Sequence, residues 1–259
     1  MLPPDVRLIV SSADRNLSIY PTPASYVVTF DEPFANVVSM TLVSASIPLV
    51  AHQVSTSNNV FRYRFAENHP ATEVEIPIGD YASGEDLATT LTGLLNSIIR
   101  VNYVARRDGF AFNAASPFEL LFDGGDAQTN VVSYAKGSCA RILGFGPRNY
   151  VSSPAGALSS AFKRDLSHTS TAVIYVDDAD VNVSINDSFN RSFAVISRQD
   201  DLTVHMHDMH DMHMKKTFDP PMGKMGRIRV RINDVFGCPY DFQNRDHRLE
   251  FVLGVAPPR

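Results

Sequence analysis

The sequence predicts an all-β protein, an antiparallel β-sandwich of jelly-roll type with one amphipathic helix and long loops. Ten or more short segments are typical of strands, and only one segment has helical periodicity. Turn residues are spread along the chain, with 16 Pro and 14 Gly in 259 residues. Because the strands are not interleaved with helices, a parallel α/β fold is disfavoured.

The predicted strands begin near the N-terminus and continue to the C-terminus. Residues 26–30 (YVVTF) are rich in strand formers, and residues 61–65 (FRYRF) alternate aromatic and basic side chains. Residues 227–232 (RIRVRI) place three basic side chains on one face, those of Arg227, Arg229 and Arg231. We expect this face to be solvated, or to meet an acidic neighbour.

One segment has the period of a helix, which we predict over residues 84–100. Ser83 is suited to be its N-cap, and Asp86 follows at the spacing of a capping box. The apolar residues that recur at helical spacing are Leu87, Leu91, Leu94, Leu95 and Ile98. We expect this helix to cover one end of a sheet.

The N-terminal residues differ from the rest of the chain. Pro21 and Pro23 stiffen an extended segment, because each fixes its own φ and lacks an N–H group. We therefore expect an extended N-terminal arm over residues 1–24. Residues 25–259 are then expected to form a single jelly-roll-like β domain with long loop insertions.

Charge and composition exclude some classes of function. The net charge is −5, which argues against a protein that coats nucleic acid. No run of about 18 apolar residues occurs, so no membrane-spanning helix is expected, and the first residues do not resemble a signal peptide. The two cysteines, Cys139 and Cys238, are not a disulfide framework and fit a reducing compartment.

A histidine-rich run is the most unusual feature of the sequence. Residues 205–214 (HMHDMHDMHM) contain four of the eight histidines, and these are the candidate metal ligands His205, His207, His210 and His213. Metal ligands are usually drawn from separate elements, so the run favours a polar loop over a metal site. A third interpretation is a contact that changes charge near pH 6. We expect no bound metal.

No catalytic motif is present in the sequence. The chain lacks a P-loop, a G-x-S-x-G motif and an H-E-x-x-H motif. Residues 177–180 (DDAD) could bind a cation, but a solvated turn explains them more simply. We therefore expect a protein that is not an enzyme and has no cofactor. The clustering of the histidines also argues against a metal-dependent cupin-type enzyme.

The N-terminal residues carry a resemblance. Residues 11–16 (SSADRN) lead to 20–26 (YPTPASY), and residues 36–39 (NVVS) lead to 42–48 (LVSASIP). This series is similar to the N-terminal signature of minor capsid and penton (vertex) proteins of large icosahedral nucleocytoplasmic double-stranded DNA viruses. Later segments resemble the same family, among them 76–81 (IPIGDY), 140–145 (ARILGF), 218–221 (FDPP) and the pair Asp246-His247. The histidine-rich run is not part of the resemblance.

The resemblance implies a structural component of an icosahedral capsid, most simply the pentameric vertex protein. Its partners would be copies of itself, the major capsid protein and other minor capsid proteins, with no specific nucleic acid. Its location would be the virion, assembled in the host cytoplasm. One alternative is a cement protein that bridges capsomers under the shell. Another is a lectin-like or receptor-binding β-sandwich.

For the contact with a partner, the sequence favours the N-terminal arm. Arg and Tyr are preferred anchors in protein interfaces. The predicted interface residues are therefore Asp14, Arg15, Tyr20 and Tyr26.

Overall fold

The computed structural model describes residues 5–48, 50–65, 69–124, 137–166, 171–184, 189–197 and 214–257. In these ranges strands dominate, helices are few, and all strand pairings between named strands are antiparallel. The predicted all-β class is confirmed. None of the helices in the described ranges is long and apolar enough to cross a membrane.

The elements follow one another along the chain in an order dominated by strands. The helices are α1 (Gly84–Leu94) and α2 (Ala140–Leu143), and short 3₁₀ turns occur at Ser12–Asp14 and Ala105–Arg107. The strands are β1 (Asp5–Ser11), β2 (Ser25–Ser46), β3 (Val60–Arg64), β4 (Thr72–Glu75), β5 (Ile99–Val104), β6 (Gly109–Ala114), β7 (Glu119–Leu121), β8 (Tyr150–Val151), β9 (Ala157–Ser159), β10 (Thr171–Val176), β11 (Ala194–Ser197), β12 (Lys215–Asn233) and β13 (Arg248–Val255).

The chain divides into two units, each with its own hydrophobic core. The jelly-roll unit comprises residues 1–51 and 168–259, and the insert unit comprises residues 52–167. This differs from the expected arm over 1–24 and single domain over 25–259. Strand β1 pairs with β13 from Asp5 to Ser11, so residues 5–11 are part of a sheet. Its alternate residues Leu8 and Val10 are buried in the core of the unit.

The jelly-roll unit contains a six-stranded sheet in the order β1-β13-β2-β12-β10-β11. Strands β2 and β12 are long, and both are interrupted. Thr29 pairs with Arg227 and Phe34 with Met225, so residues 30–33 oppose a single residue of β12. In the same way, residues 218–221 of β12 oppose a single residue of β2.

The sequence explains these two irregularities. The interrupting segments read FDEP at 30–33 and FDPP at 218–221, and proline cannot donate a ladder hydrogen bond. Bulges and bends of this kind let a strand leave one sheet and continue in another. Each long strand therefore provides two strand segments, which gives the unit eight segments in all.

The pairing of the eight segments is that of a jelly roll. Numbered along the chain, they are β1, the two halves of β2, then β10, β11, the two halves of β12, and β13. One layer then has the order 1-8-3-6 and the other has the order 2-7-4-5. This is an antiparallel ribbon, paired 1 with 8 through 4 with 5, wound into a double-sheet sandwich.

Contacts across the core show that the two layers face each other. Phe193, next to β11, packs edge-on against Phe251 of β13 with ring centroids 5.8 Å apart, although four positions separate these strands in the sheet order. Both rings are fully buried. The core between the layers also includes Tyr26, Met40 and Ile174.

The insert unit builds a separate core from two small sheets, of orders β4-β3-β7-β8 and β5-β6-β9. Helices α1 and α2 contribute to the same core, which is rich in phenylalanine. Phe145 lies among three rings, with centroids 5.2 Å from Phe122, 5.8 Å from Phe112 and 4.8 Å from Tyr150.

Helix α1 is shorter than predicted, ending at Leu94 and not near residue 100. Ser83 is its N-cap, as expected, and the Ser83 hydroxyl accepts from the Asp86 N–H at 3.1 Å. The helix stops because Asn96 and Ser97 are left-handed, with φ of 49° and 57°, and Ile99 already begins β5.

Candidate functional site

A cluster of polar side chains lies in the jelly-roll unit where β13 begins, with Ser12, Tyr26 and His247 buried and Asp246 exposed. Ser12 and Arg15 belong to the turn after β1, Tyr26 lies on β2, and Asp246 and His247 immediately precede β13. The pairing of β1 with β13 and of β13 with β2 brings these distant segments together.

The Asp246 carboxylate joins the first part of the cluster. Its Oδ1 accepts from the Ser12 hydroxyl at 2.8 Å and from Arg15 Nη1 at 2.6 Å. The backbone N–H of His247 donates to Ser12 Oγ, and the Ser12 N–H donates to the His247 carbonyl, both at 3.0 Å. Residues 12–15 are therefore fastened to the start of β13.

The His247 ring forms the second part of the cluster. It is 3% exposed, stacks on Phe242 at 4.8 Å, and shares a hydrogen bond from Nε2 to the Tyr26 hydroxyl at 3.0 Å. Its Nδ1 has no hydrogen-bond partner. Burial lowers the pKa of His247 to about 4, and the nearby Arg15 also lowers it while Asp246 opposes the shift.

The pKa values of Tyr26 and Asp246 also shift, each in the direction expected from its surroundings. Burial raises the pKa of the Tyr26 hydroxyl well above its usual range. The hydrogen bond from Ser12, followed by the hydrogen bond and the charge of Arg15, lowers the pKa of Asp246. At neutral pH the cluster therefore holds a neutral His247, a neutral Tyr26 and a charged Arg15–Asp246 pair.

A serine, a histidine and an aspartate meet here, but their arrangement is not that of a nucleophilic triad. In a triad the serine donates to the histidine, which the aspartate orients. Here the Ser12 hydroxyl donates to Asp246, while the His247 ring is bonded to Tyr26. Ser12 is also fully buried. The cluster instead joins two distant segments of the fold, and we call its residues Ser12, Arg15, Tyr26, Asp246 and His247 the clasp.

The four predicted interface residues differ in how exposed they are in the structure. Tyr26 is fully buried and bonded to His247, which does not support the prediction that it contacts a partner. The Arg15 side chain is only 7% exposed and is engaged within the unit. Asp14 is exposed and Tyr20 is half-buried, so for these two residues a role in an interface stays a prediction.

Arg15 also fixes the loop that follows it. Its Nε donates to the Tyr20 carbonyl at 3.1 Å, and the N–H groups of Ile19 and Tyr20 both donate to the Asn16 carbonyl. Between these ends, Leu17 and Ile19 each expose 64% of their surface. A tightly bonded loop therefore presents two large aliphatic side chains to solvent.

A second grouping in the same unit is an open, polar cleft of about 600 Å³. It lies where the turn after β10, the turn before β11 and the turn after β12 converge. Its lining residues are Tyr175, Val176, Asp177, Asp178, Asp180, Asn190, Arg191, Arg231, Asn233, Phe236 and Gly237.

The remaining candidate groups are the metal ligands proposed from the sequence and the buried thiol of Cys139. His205, His207, His210 and His213 lie outside the described residues. Across the described ranges, no three His, Cys, Asp or Glu side chains are grouped so as to hold a metal ion, residues 177–180 included. Cys139 is fully buried in the insert unit, and burial raises the pKa of its thiol, which is the opposite of activation.

Sequence reasoning missed that Arg15 pairs with Asp246. These two residues lie 231 positions apart in the sequence. The adjacent residues Asp246 and His247 were the available signal, but a single sequence does not show which distant strands pair.

The chain is similar to one protein-family model and to a solved structure. A model of a family of unknown function (DUF5901) matches residues 6–118, less than half of the chain, a span that includes Ser12, Arg15 and Tyr26. Among curated proteins, none matches the sequence. The chain is similar to the crystal structure of the mavirus penton protein at 10% identity, over 98% of this chain and 100% of that chain, with a TM-score of 0.36.

Proposed function

We propose that the protein is a structural component of an icosahedral viral capsid and that it forms the pentameric vertex. The observation that carries the proposal is the jelly-roll winding of strands β1, β2 and β10 to β13, an architecture used in viral capsid and lectin domains. Because a fold alone does not fix a function, the resemblance of the N-terminal residues to vertex proteins selects the capsid role.

The loop of residues 14–20 supplies a surface for assembly. Leu17 and Ile19 are exposed apolar side chains, and the bonds of Arg15 hold their loop in place. A contact made by an already ordered loop loses little conformational entropy. A ring of five copies needs only one repeated heterologous contact, so one such loop on each copy is enough.

Counting copies in particles tests the proposal. Quantitative mass spectrometry of purified particles is expected to find about 60 copies, five at each of twelve vertices. Several hundred copies would favour the cement protein. Absence from particles would contradict the capsid role and favour the lectin-like alternative.

A variant in the exposed loop tests the proposed surface. The double substitution Leu17→Asp and Ile19→Asp is expected to convert five-chain assemblies into single chains, as measured by light scattering after gel filtration. Val151→Asp is the matched control, because Val151 is 69% exposed in the insert unit. Equal loss of assembly in both variants would contradict this surface.

A further inference from the structure

We infer that the polar cleft of the jelly-roll unit is a binding site for a neutral carbohydrate, with room for one or two sugar rings. Its volume of about 600 Å³ falls within the range of small-molecule sites. The inference concerns a ligand of the single chain, and it goes beyond the proposed role in the capsid.

The charges of the cleft favour this ligand class. Three carboxylates, those of Asp177, Asp178 and Asp180, share the cleft with two guanidinium groups, those of Arg191 and Arg231. These opposite charges largely cancel, and Asp177 also pairs with Arg229 at 3.6 Å, so the cleft has no strong preference for a simple anion or a simple cation. A sugar hydroxyl can donate to a carboxylate and accept from a guanidinium or an amide at the same time.

The remaining lining residues fit the same ligand. The side-chain amides of Asn190 and Asn233 can both donate and accept. Phe236 gives the cleft an apolar surface against which the C–H face of a sugar ring can pack. The Arg231 guanidinium lies over the Tyr175 ring at 5.0 Å, which fixes the direction of this long side chain.

The walls are held by hydrogen bonds before any ligand arrives. Asp234 Oδ1 accepts from the N–H groups of Phe236 and Cys238, both at 2.9 Å, and Asn233 Nδ2 donates to the Gly237 carbonyl at 3.1 Å. These bonds fix the turn that carries Phe236. A fixed wall reduces the entropy lost on binding.

Two lining residues have unusual backbones. Asp178 and Arg191 are left-handed, with φ of 63° and 59°. Such a conformation is uncommon for arginine and is found preferentially at functional sites. Each is anchored by a neighbouring backbone hydrogen bond, from Ala179 N–H to Val176 and from Arg191 N–H to Asn182.

The test is a titration of the full chain followed by amide chemical shifts in NMR. The probes are methyl α-mannopyranoside, methyl β-galactopyranoside, methyl β-glucopyranoside and lactose, each alone. At least one probe is expected to shift amides of the cleft. Arg231→Gln and Asp178→Asn are each expected to weaken that binding by about tenfold or more, since each removes a charged hydrogen-bonding group.

Arg227→Gln is the matched control. Arg227 is exposed on the same strand face as Arg231 but does not line the cleft, so its substitution should leave binding unchanged. Thermal unfolding of each variant verifies that it folds. The inference is overturned if no sugar shifts the cleft amides, or if all three variants bind equally well. It is also overturned if only sodium sulfate or calcium chloride shifts those amides. None of these results changes the copy number in particles, which tests the capsid role separately.

Discussion

The jelly-roll unit places charged and titrating side chains against its core, whereas the insert unit fills its core with phenylalanine rings. In the jelly-roll unit, Tyr26, Phe242 and His247 pack together beside the Arg15–Asp246 pair. In the insert unit, Phe145 contacts rings on three sides. The comparison indicates that acid should weaken the jelly-roll unit first, because its buried His247 has a lowered pKa and takes up a proton when that unit unfolds.

The largest expected effect is in the apolar core of the insert unit. Phe145→Ala removes a ring that is 2% exposed, so we expect a loss of about 4 kcal/mol in the free energy of unfolding. Denaturant unfolding measures this loss of free energy, and hydrogen exchange of insert-unit peptides assigns it to the insert unit. Phe162→Ala is the control, because that side chain is 62% exposed and should cost less than about 0.5 kcal/mol. Equal losses in the two variants would contradict this account of the core.

The next effect is acid destabilisation of the jelly-roll unit. His247 has its pKa lowered from 6.5 to about 4, so between these values the unfolded chain binds more protons than the folded one. Stability is therefore full above about pH 6.5 and falls as the pH is lowered to about 4, by about 3 kcal/mol. The lowered pKa of Asp246 adds a further loss at still lower pH.

Hydrogen exchange of both units from pH 7 to pH 4, corrected for intrinsic exchange rates, measures this difference. The exchange of residues 5–48 and 214–257 should accelerate more than that of the insert unit. His247→Phe keeps an aromatic ring but cannot titrate, so its stability should vary less across this range. An unchanged pH slope in His247→Phe would show that another group is responsible.

A smaller effect is expected from the arginine of the clasp. Arg15→Ala removes the guanidinium donors to the Asp246 carboxylate and to the Ser12 and Tyr20 carbonyls, so we expect a loss of about 2 kcal/mol in the free energy of unfolding. Arg7→Ala is the matched control, since Arg7 pairs with Glu250 but is 75% exposed, and such surface pairs contribute about 0–1 kcal/mol. Comparable losses at Arg7 and Arg15 would remove the distinction between a clasp and a surface pair.

The parts of the fold that could be predicted are those that local patterns specify. The alternating strands and the N-cap at Ser83 follow from spacing and residue type. The division into two units could not be predicted in this way, because both units are built mainly from alternating strands and the alternation does not show which strands share a sheet. The partner of Arg15 could not be predicted either, because the contact depends on the pairing of β1 with β13 across almost the whole chain.

The smallest expected effect is at the start of α1, where Ser83 is both the predicted and the observed N-cap. Ser83→Ala removes the acceptor of the Asp86 N–H, which should cost about 1 kcal/mol in the free energy of unfolding of the insert unit. Thr89→Ala is the matched control, because its exposed hydroxyl bonds only the Glu85 carbonyl of the preceding turn. Removing that bond should change stability by less than about 0.5 kcal/mol, since alanine is also the better helix former. Because α1 packs on the insert core through Leu87 and Leu91, the loss should appear in insert-unit peptides and leave those of the jelly-roll unit unchanged. A loss of similar size in both sets of peptides would mean that the two units unfold together.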